Sequence, residues 1–97
     1  IAPGQFPLHY SPGIPLRTNV KDPKNNEAFL LIKKRKITFK NYYYLSKKND
    51  LKQAAKNLYS LLRRIKKDGY KMIAVEKIPN IGIGKTLNDR LNRASKF

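Results

Sequence analysis

The stretch that decides the fold is residues 42–76, YYYLSKKNDLKQAAKNLYSLLRRIKKDGYKMIAVE. It begins with an aromatic, β-prone run and ends with a buried-type apolar run, and a helical pattern lies between them. Two strands joined by such a helix form a right-handed crossover, which makes the strands parallel. The stretch therefore predicts a small α/β domain, Rossmann-like, with a mostly parallel sheet and flanking helices.

The helix between the two runs is the clearest element of the sequence. Asp50 is a favourable N-cap, and Gln53 stands three residues later, as in a capping box. Gly69 is expected to end the helix, after a basic last turn that suits the helix dipole. Apolar residues at helical spacing form one broad face: Leu51, Ala54, Ala55, Leu58, Tyr59, Leu61, Leu62 and Ile65.

The remaining segments complete a predicted order β-β-β-α-β-α. Residues 16–20 alternate and predict a short strand, and the apolar run 28–32 predicts a strand buried on both faces. The run K-K-R-K at 33–36 is predicted to be a solvated basic edge or turn. A closing helix is expected from about residue 84 to residue 96.

The front of the chain has a different character. Residues 3–15, PGQFPLHYSPGIP, hold four of the six prolines, so this segment cannot join a sheet centre or a helix interior. Phe6, Leu8 and Tyr10 nevertheless make it partly apolar, unlike a solvated linker. We therefore expect a stiff arm at 1–15 followed by one domain at 16–97.

The only histidine, His9, lies in this arm. It is either simply exposed or held rigidly between proline kinks and presented to a ligand. The chain begins with Ile1, and its one methionine is Met72. We accordingly expect a piece of a longer protein, with the arm at the point of attachment.

Charge is the strongest feature of the composition, with a formal net value of +16. It indicates either a nucleic-acid-binding surface or a genome whose codons favour Lys, Asn and Ile. Cysteine is absent, which excludes disulfides and thiolate metal sites and fits a reducing compartment. With no signal pattern and no apolar run near the roughly 18–20 residues of a membrane span, we expect a cytoplasmic protein without membrane contact.

The chain is poor in the groups that catalysis requires. One histidine cannot build a histidine metal cluster, and no two carboxylates are placed for acid–base work. We therefore expect no catalytic residue, no metal site and no cofactor within this chain. The carboxylates are scattered singly: Asp22, Glu27, Asp50, Asp68, Glu76 and Asp89.

The motif G-I-G-K-T at 82–86 follows a strand and opens a helix, as a phosphate loop would. A phosphate loop needs a glycine five residues before Gly84, where Pro79 stands. The dinucleotide fingerprint also fails, because Leu87 occupies the position of its third glycine. The glycines therefore predict a tight turn with close packing, and a weak anion site at the helix N-terminus stays open.

The triplet Asn88, Asp89 and Arg90 allows two interpretations. It is either a solvated helix face, with Asp89 paired to Arg93 at the i,i+4 spacing, or a polar clamp against another segment.

Several of these residues together resemble one family. Pro3, Gly4, His9, Tyr10 and Pro12, in the pattern P-G-x-x-x-x-H-Y-x-P, resemble the interdomain linker of the long form of threonylcarbamoyl-AMP synthase. Three later pieces, in the same order along the chain, resemble that family's C-terminal domain: DLKQAAKNLY at 50–59, AVEKIP at 74–79 and GIGKTLNDRLNRA at 82–94.

The resemblance implies a function. The family makes threonylcarbamoyl-AMP from threonine, bicarbonate and ATP with Mg, releasing pyrophosphate, for the threonylcarbamoyladenosine modification of tRNA. Its chemistry belongs to an N-terminal YrdC-like domain, which would be the partner of this chain. This chain would be the Rossmann-like C-terminal domain, with a linker that closes the catalytic pocket.

The resemblance also implies roles for single residues. Tyr10 would contact bound nucleotide by stacking or through its hydroxyl, and His9 would orient the linker or contact substrate. Asn88, Asp89 and Arg90 would be a structural signature of the domain. The linker departs from the family at residues 5–8, QFPL, where a basic residue is common, so a phosphate contact there is not expected.

Two further functions remain open. The charge would suit an independent module that binds tRNA or other polyanions weakly. Alternatively, the chain could be a scaffold, with the arm only a tether.

Overall fold

The computed structural model describes residues 14–48 and 50–94. Its elements follow the predicted order: β1 (Leu16–Arg17), β2 (Ala28–Leu31), β3 (Tyr42–Tyr44), α1 (Leu51–Lys67), β4 (Ile73–Val75) and α2 (Ile83–Ala94). The strands form one sheet in the order β1-β4-β2-β3, and each neighbouring pair is parallel. The predicted Rossmann-like α/β fold is confirmed.

Both helices pack on one face of the sheet. The crossover β3–α1–β4 passes over β2, which lies between β3 and β4. Alternate strand residues, among them Leu30, Ile73 and Val75, point to this face and meet Leu58 of α1 and Leu91 of α2 in the main core. The buried face of each helix is therefore the apolar face that its sequence spacing predicts.

The second face of the sheet is covered differently. Phe29, Leu31 and Ala74 are fully buried there, with Val20 beside them. The connection from β2 to β3 carries no helix, and the Arg35 guanidinium lies 5.0 Å from the centroid of the Phe29 ring. Within the described residues, irregular segments and their side chains form the outer layer on this side.

The ends of α1 are fixed largely as predicted. The Asp50 side chain accepts hydrogen bonds from the amides of Lys52 and Gln53, and Gly69 follows the helix with φ +93°. The predicted capping box, in which the Gln53 side chain would accept from the Asp50 amide, is wrong. Gln53 Oε1 accepts from Ser46 Oγ at 2.8 Å, and Ser46 Oγ accepts from the Asp50 amide at 2.9 Å. The hydroxyl of Ser46 thus stands between the two partners of the expected box.

Strand β1 is shorter than the predicted 16–20. Asn19 adopts φ 58°, in the left-handed region, so the chain turns after Arg17. Val20 still reaches the neighbouring strand, because its amide donates to the Val75 carbonyl at 2.9 Å. The other elements begin and end within a residue or two of expectation.

Candidate functional site

The arm joins the domain at a fixed point. The side chain of Ile14 is only 4% exposed and belongs to the main core. The carbonyl oxygen of Pro15 accepts a hydrogen bond from the Ile73 amide at 3.0 Å, and Leu16 then pairs with Ile73 in the sheet. The chain before Ile14 therefore starts from a rigid root at the amino end of β1. The linker residues Pro3, Gly4, His9, Tyr10 and Pro12 lie outside the described residues.

An ion pair fastens the strand that carries this root. Arg17 donates from Nε and Nη2 to the two carboxylate oxygens of Glu27, whose side chain is fully buried. The Lys24 amide donates to the same carboxylate at 2.8 Å. The hydrogen bond from Arg17 lowers the pKa of Glu27 and outweighs the opposing effect of burial. The sequence did not reveal this pair, because its members lie ten residues apart on different elements.

A shallow cleft of about 340 Å³ opens beside the root. Ile14 and Tyr70 form its apolar part, and Lys66 and Lys71 provide positive charge at its rim.

The triplet at 88–90 divides between the two interpretations. Asn88 forms a clamp, since its Nδ2 donates to the Ile78 carbonyl at 3.0 Å and to Asn80 Oδ1 at 3.4 Å. Asp89 belongs to a solvated face, where it pairs with Arg93 at 3.1 Å. Arg90 is half-buried on the same helix. Asn88 thus holds α2 against the segment that leaves β4.

The glycines of the 82–86 motif serve the turn, as predicted. Gly82 has φ +55°, and a Cβ on Gly84 would overlap the carbonyl oxygen of Pro79. The amides of Gly84 and Lys85 donate to Ile81 and Gly82 at 3.0 and 3.1 Å. These two amides of the first helical turn therefore already have acceptors within the turn, rather than pointing free towards an anion.

A basic cleft of about 530 Å³ lies at the carboxyl ends of β2 and β4. In open α/β sheets, ligands bind at the carboxyl ends of strands where neighbouring connections leave in different directions. Here the chain leaves β2 over the second face and leaves β4 towards α2 on the first. The residues lining the cleft are Ile32, Lys33, Lys34, Arg35, Lys36, Glu76, Lys77 and Pro79.

Glu76 organises this cleft rather than cancelling its charge. One carboxylate oxygen accepts from the Ile32 amide at 3.0 Å and the other from Arg35 Nη2 at 3.3 Å. The lysines at 33, 34, 36 and 77 are exposed. The cleft suits an anionic ligand by charge. The predicted solvated basic edge at 33–36 is confirmed for its three lysines, whereas Arg35 is half-buried and pairs with Glu76. The proximity of this edge to Glu76 and Lys77 depends on the strand order.

Other carboxylates also have structural partners. Asp68 Oδ2 accepts from the Tyr43 hydroxyl at 2.6 Å, and Asp50 caps α1. Across residues 14–48 and 50–94, no group of three or more His, Cys, Asp or Glu side chains could hold a metal ion. In the same part of the chain, no helix has the length and apolar character needed to cross a membrane.

The fold, together with the attachment at Ile14 and Pro15, defines a small Rossmann-like domain that follows an N-terminal segment. Residues 1–96 match the family described as threonylcarbamoyl-AMP synthase, C-terminal domain. Because the match covers nearly the whole chain, the chain belongs to this family, and the resemblance noted in the sequence is confirmed. Searches of curated proteins and of solved structures gave no match.

Proposed function

We propose that this chain is the accessory domain whose linker closes the active site of a threonylcarbamoyl-AMP synthase, and that alone it makes no product. The reaction of the whole enzyme would join threonine, bicarbonate and ATP, with Mg, and release pyrophosphate. The catalytic groups would lie in an N-terminal YrdC-like domain of the same chain. The product would serve the modification of tRNA.

The observation that carries the proposal is the fixed root at Ile14 and Pro15. A segment that closes a pocket works best when its attachment is rigid, because little ordering entropy is then lost on closure. Proline reduces that loss further along the linker. Tyr10 lies four residues before Ile14, so its Cα can lie at most about 14 Å from that of Ile14, and its side chain extends beyond that.

This reach restricts how the two domains meet. For Tyr10 to contact bound nucleotide, the catalytic pocket must face the amino end of β1. The cleft beside the root, with Lys66 and Lys71 at its rim, would then lie at the domain boundary. Closure would exclude water and position the reactants, while the reacting atoms would be handled by the partner domain.

Pyrophosphate release that depends on threonine tests the proposal. Three proteins are compared: the two-domain enzyme, its catalytic domain alone, and residues 1–97 alone. We expect residues 1–97 to be inactive and their removal to impair the catalytic domain. Activity of residues 1–97 at an enzymatic rate, or unchanged kcat and KM after their removal, would contradict the proposal.

The net charge of +16 and the basic cleft favour RNA binding as a second function. Charge alone would give weak, sequence-blind binding of tRNA that fades steeply as salt rises. Tight binding at physiological salt with a preference for one tRNA would instead favour an RNA-binding module.

A further inference from the structure

A row of aromatic rings lies on the sheet face opposite the two helices. Tyr42 and Tyr44 point to this face from the edge strand β3, and Phe39 lies directly beside Tyr42. Ring centroids are 5.3 Å apart for Phe39–Tyr42 and 6.4 Å apart for Tyr42–Tyr44, in edge-to-face geometry. Phe29 supports Tyr42 from the sheet at 5.3 Å. The row of rings thus packs on a fully buried aromatic side chain, Phe29.

The outer end of this row is open to solvent although its backbone is held. Phe39 is 59% exposed, and its neighbour Ile37 is 71% exposed. The hydroxyl of Tyr44 donates to Thr38 Oγ1 at 2.8 Å, and the Tyr42 amide donates to the Phe39 carbonyl at 3.0 Å. Large apolar side chains presented together from a tethered segment mark an interaction site.

The same part of the chain is uniformly positive. Residues 28–49 contain no aspartate or glutamate. Arg35 is engaged by Glu76 and by the Phe29 ring, so it serves the fold. Lys40 lines a cleft together with Phe39 and Tyr42, and Lys34 lines another together with Tyr44. Lys33 and Lys36 are exposed on the same segment, at the basic cleft beyond the end of β2. The excess of positive charge favours an anionic partner.

A cleft of about 430 Å³ beside Phe39 indicates which anion fits. Phe39, Tyr42 and Pro23 give it flat apolar walls, while Asn25 and Asp22 add groups that can pair with a base edge. Flat walls with hydrogen-bonding groups suit a nucleobase. A carboxylate and an amide in such a slot would disfavour the acyl chains of a lipid surface.

We propose that this aromatic–basic surface, made of Phe39, Tyr42, Lys33, Lys34, Lys36 and Lys40, binds single-stranded nucleic acid. A base stacks on Phe39 at the mouth of the cleft, and the lysines hold neighbouring phosphates. Such binding tolerates many sequences, because every base offers a flat face. It is read out by binding and not by turnover, so it is tested independently of the proposed closing role of the linker; it deepens the second proposed function, RNA binding, by assigning it a surface.

Fluorescence anisotropy with labelled single strands of roughly twelve nucleotides tests the proposal on the 97-residue chain. Oligouridylate and oligothymidylate serve as the RNA and DNA probes, and binding of either supports the proposal. Loss of one stacked base predicts that Phe39→Ala weakens binding roughly 5- to 150-fold. Ile81→Ala is the matched control, since Ile81 is 74% exposed but lies outside the surface; its affinity should not change.

A second pair of variants isolates the lysines and keeps the proposal testable if Phe39→Ala does not fold. Lys34→Ala/Lys36→Ala should weaken binding and lower the salt dependence. Lys66→Ala/Lys67→Ala removes the same charge from the end of α1, on the other side of the sheet, and should weaken binding clearly less. Equal losses from the two double variants would overturn the proposal in favour of a general charge effect.

Phe39→Leu separates nucleic acid from membrane. Leucine keeps an apolar side chain that could insert into a lipid surface but offers no ring for stacking. We expect Phe39→Leu to lose oligonucleotide affinity as Phe39→Ala does. Three results would each overturn the proposal. The first is an oligonucleotide affinity that Phe39→Ala leaves unchanged, and the second is tighter binding of a duplex than of a single strand of equal length. The third is binding of phosphatidylserine–phosphatidylcholine vesicles that depends on Phe39 while oligonucleotide binding does not.

Discussion

Arg17 and Glu27 are joined by two hydrogen bonds, from Nε to Oε2 at 2.6 Å and from Nη2 to Oε1 at 2.7 Å. The carboxylate is fully buried, whereas the guanidinium remains partly in water. The pair ties β1, which carries the root of the arm, to the residue that precedes β2. The stability of the root is therefore coupled to the charge of one buried side chain.

Replacing this carboxylate by its amide should weaken the domain. Glu27→Gln loses charge-assisted hydrogen bonds, and we expect the free energy of unfolding to fall by about 1–3 kcal/mol in a urea titration. Asp89→Asn is the control, because it removes an exposed i,i+4 pair with Arg93 and should cost about 0.5 kcal/mol or less. Equal effects of the two substitutions would contradict the structural role of Glu27.

The same pair gives the wild-type protein an acid-dependent stability. The pKa of Glu27 is lowered in the folded state, chiefly by the Arg17 hydrogen bond. Its contribution is then present above the unfolded value of about 4.3 and is lost as the pH falls through the lower folded value. The stability difference between wild type and Glu27→Gln should shrink below about pH 4. A difference that stays constant down to pH 2 would argue against this linkage.

Tyr43 should produce the opposite response at alkaline pH. Its side chain is 8% exposed, and burial, followed by the hydrogen bond to Asp68, raises its pKa. A raised folded pKa contributes stability below the unfolded value of about 10, and this contribution is lost as pH rises beyond it. Wild type should thus lose stability above about pH 10 more steeply than Tyr43→Phe.

A matched tyrosine checks this assignment. Tyr44→Phe removes a hydroxyl that bonds Thr38 at the surface, and it should keep the alkaline loss of the wild type. At neutral pH, Tyr43→Phe should cost about 1–2 kcal/mol for the lost hydrogen bond to Asp68. Identical alkaline profiles for wild type and Tyr43→Phe would exclude Tyr43 as the source.

Gly82, which precedes α2, and Gly84, in its first turn, should differ in which substitutions they tolerate. Gly84→Ala would press its Cβ against the Pro79 carbonyl and should cost about 1–3 kcal/mol or more, measured by thermal melting. Gly82 has φ +55° with open space around it, and asparagine accepts that conformation, so Gly82→Asn should cost less. If Gly84→Ala melts like the wild type, the close approach to Pro79 does not constrain the turn.

The core of the fold could be predicted because its signals are local. Residues 42–76 contain two strands, a capped helix and its terminator, and these features depend on neighbours a few positions apart. The strand order, by contrast, results from packing over the whole domain. For that reason the sequence did not reveal the buried Arg17–Glu27 pair or the ion pair between Glu76 and Arg35. It also did not reveal that the Ser46 hydroxyl bonds both Gln53 and the Asp50 amide.

The candidate sites divide in the same way. The turn at Gly82 and Gly84 was predictable from spacing, and the clamp formed by Asn88 was one of two open interpretations. The aromatic–basic surface was not predicted, because the exposure of Phe39 depends on a β2–β3 connection without a helix. The roles of His9 and Tyr10 stay predictions, since both lie outside the described residues.

Kinetics and melting of one variant test the closing role of the linker most directly. In the two-domain enzyme, Tyr10→Ala should lower kcat/KM for pyrophosphate release roughly 5- to 150-fold, as expected for one lost nucleotide contact. Its melting temperature should stay nearly unchanged, because a linker residue outside the core contributes little to folding. Tyr10→Phe separates stacking, which it keeps, from a hydroxyl contact, which it loses. Wild-type kinetics of Tyr10→Ala would remove Tyr10 from the site, and a large fall in its melting temperature would make it a structural residue instead.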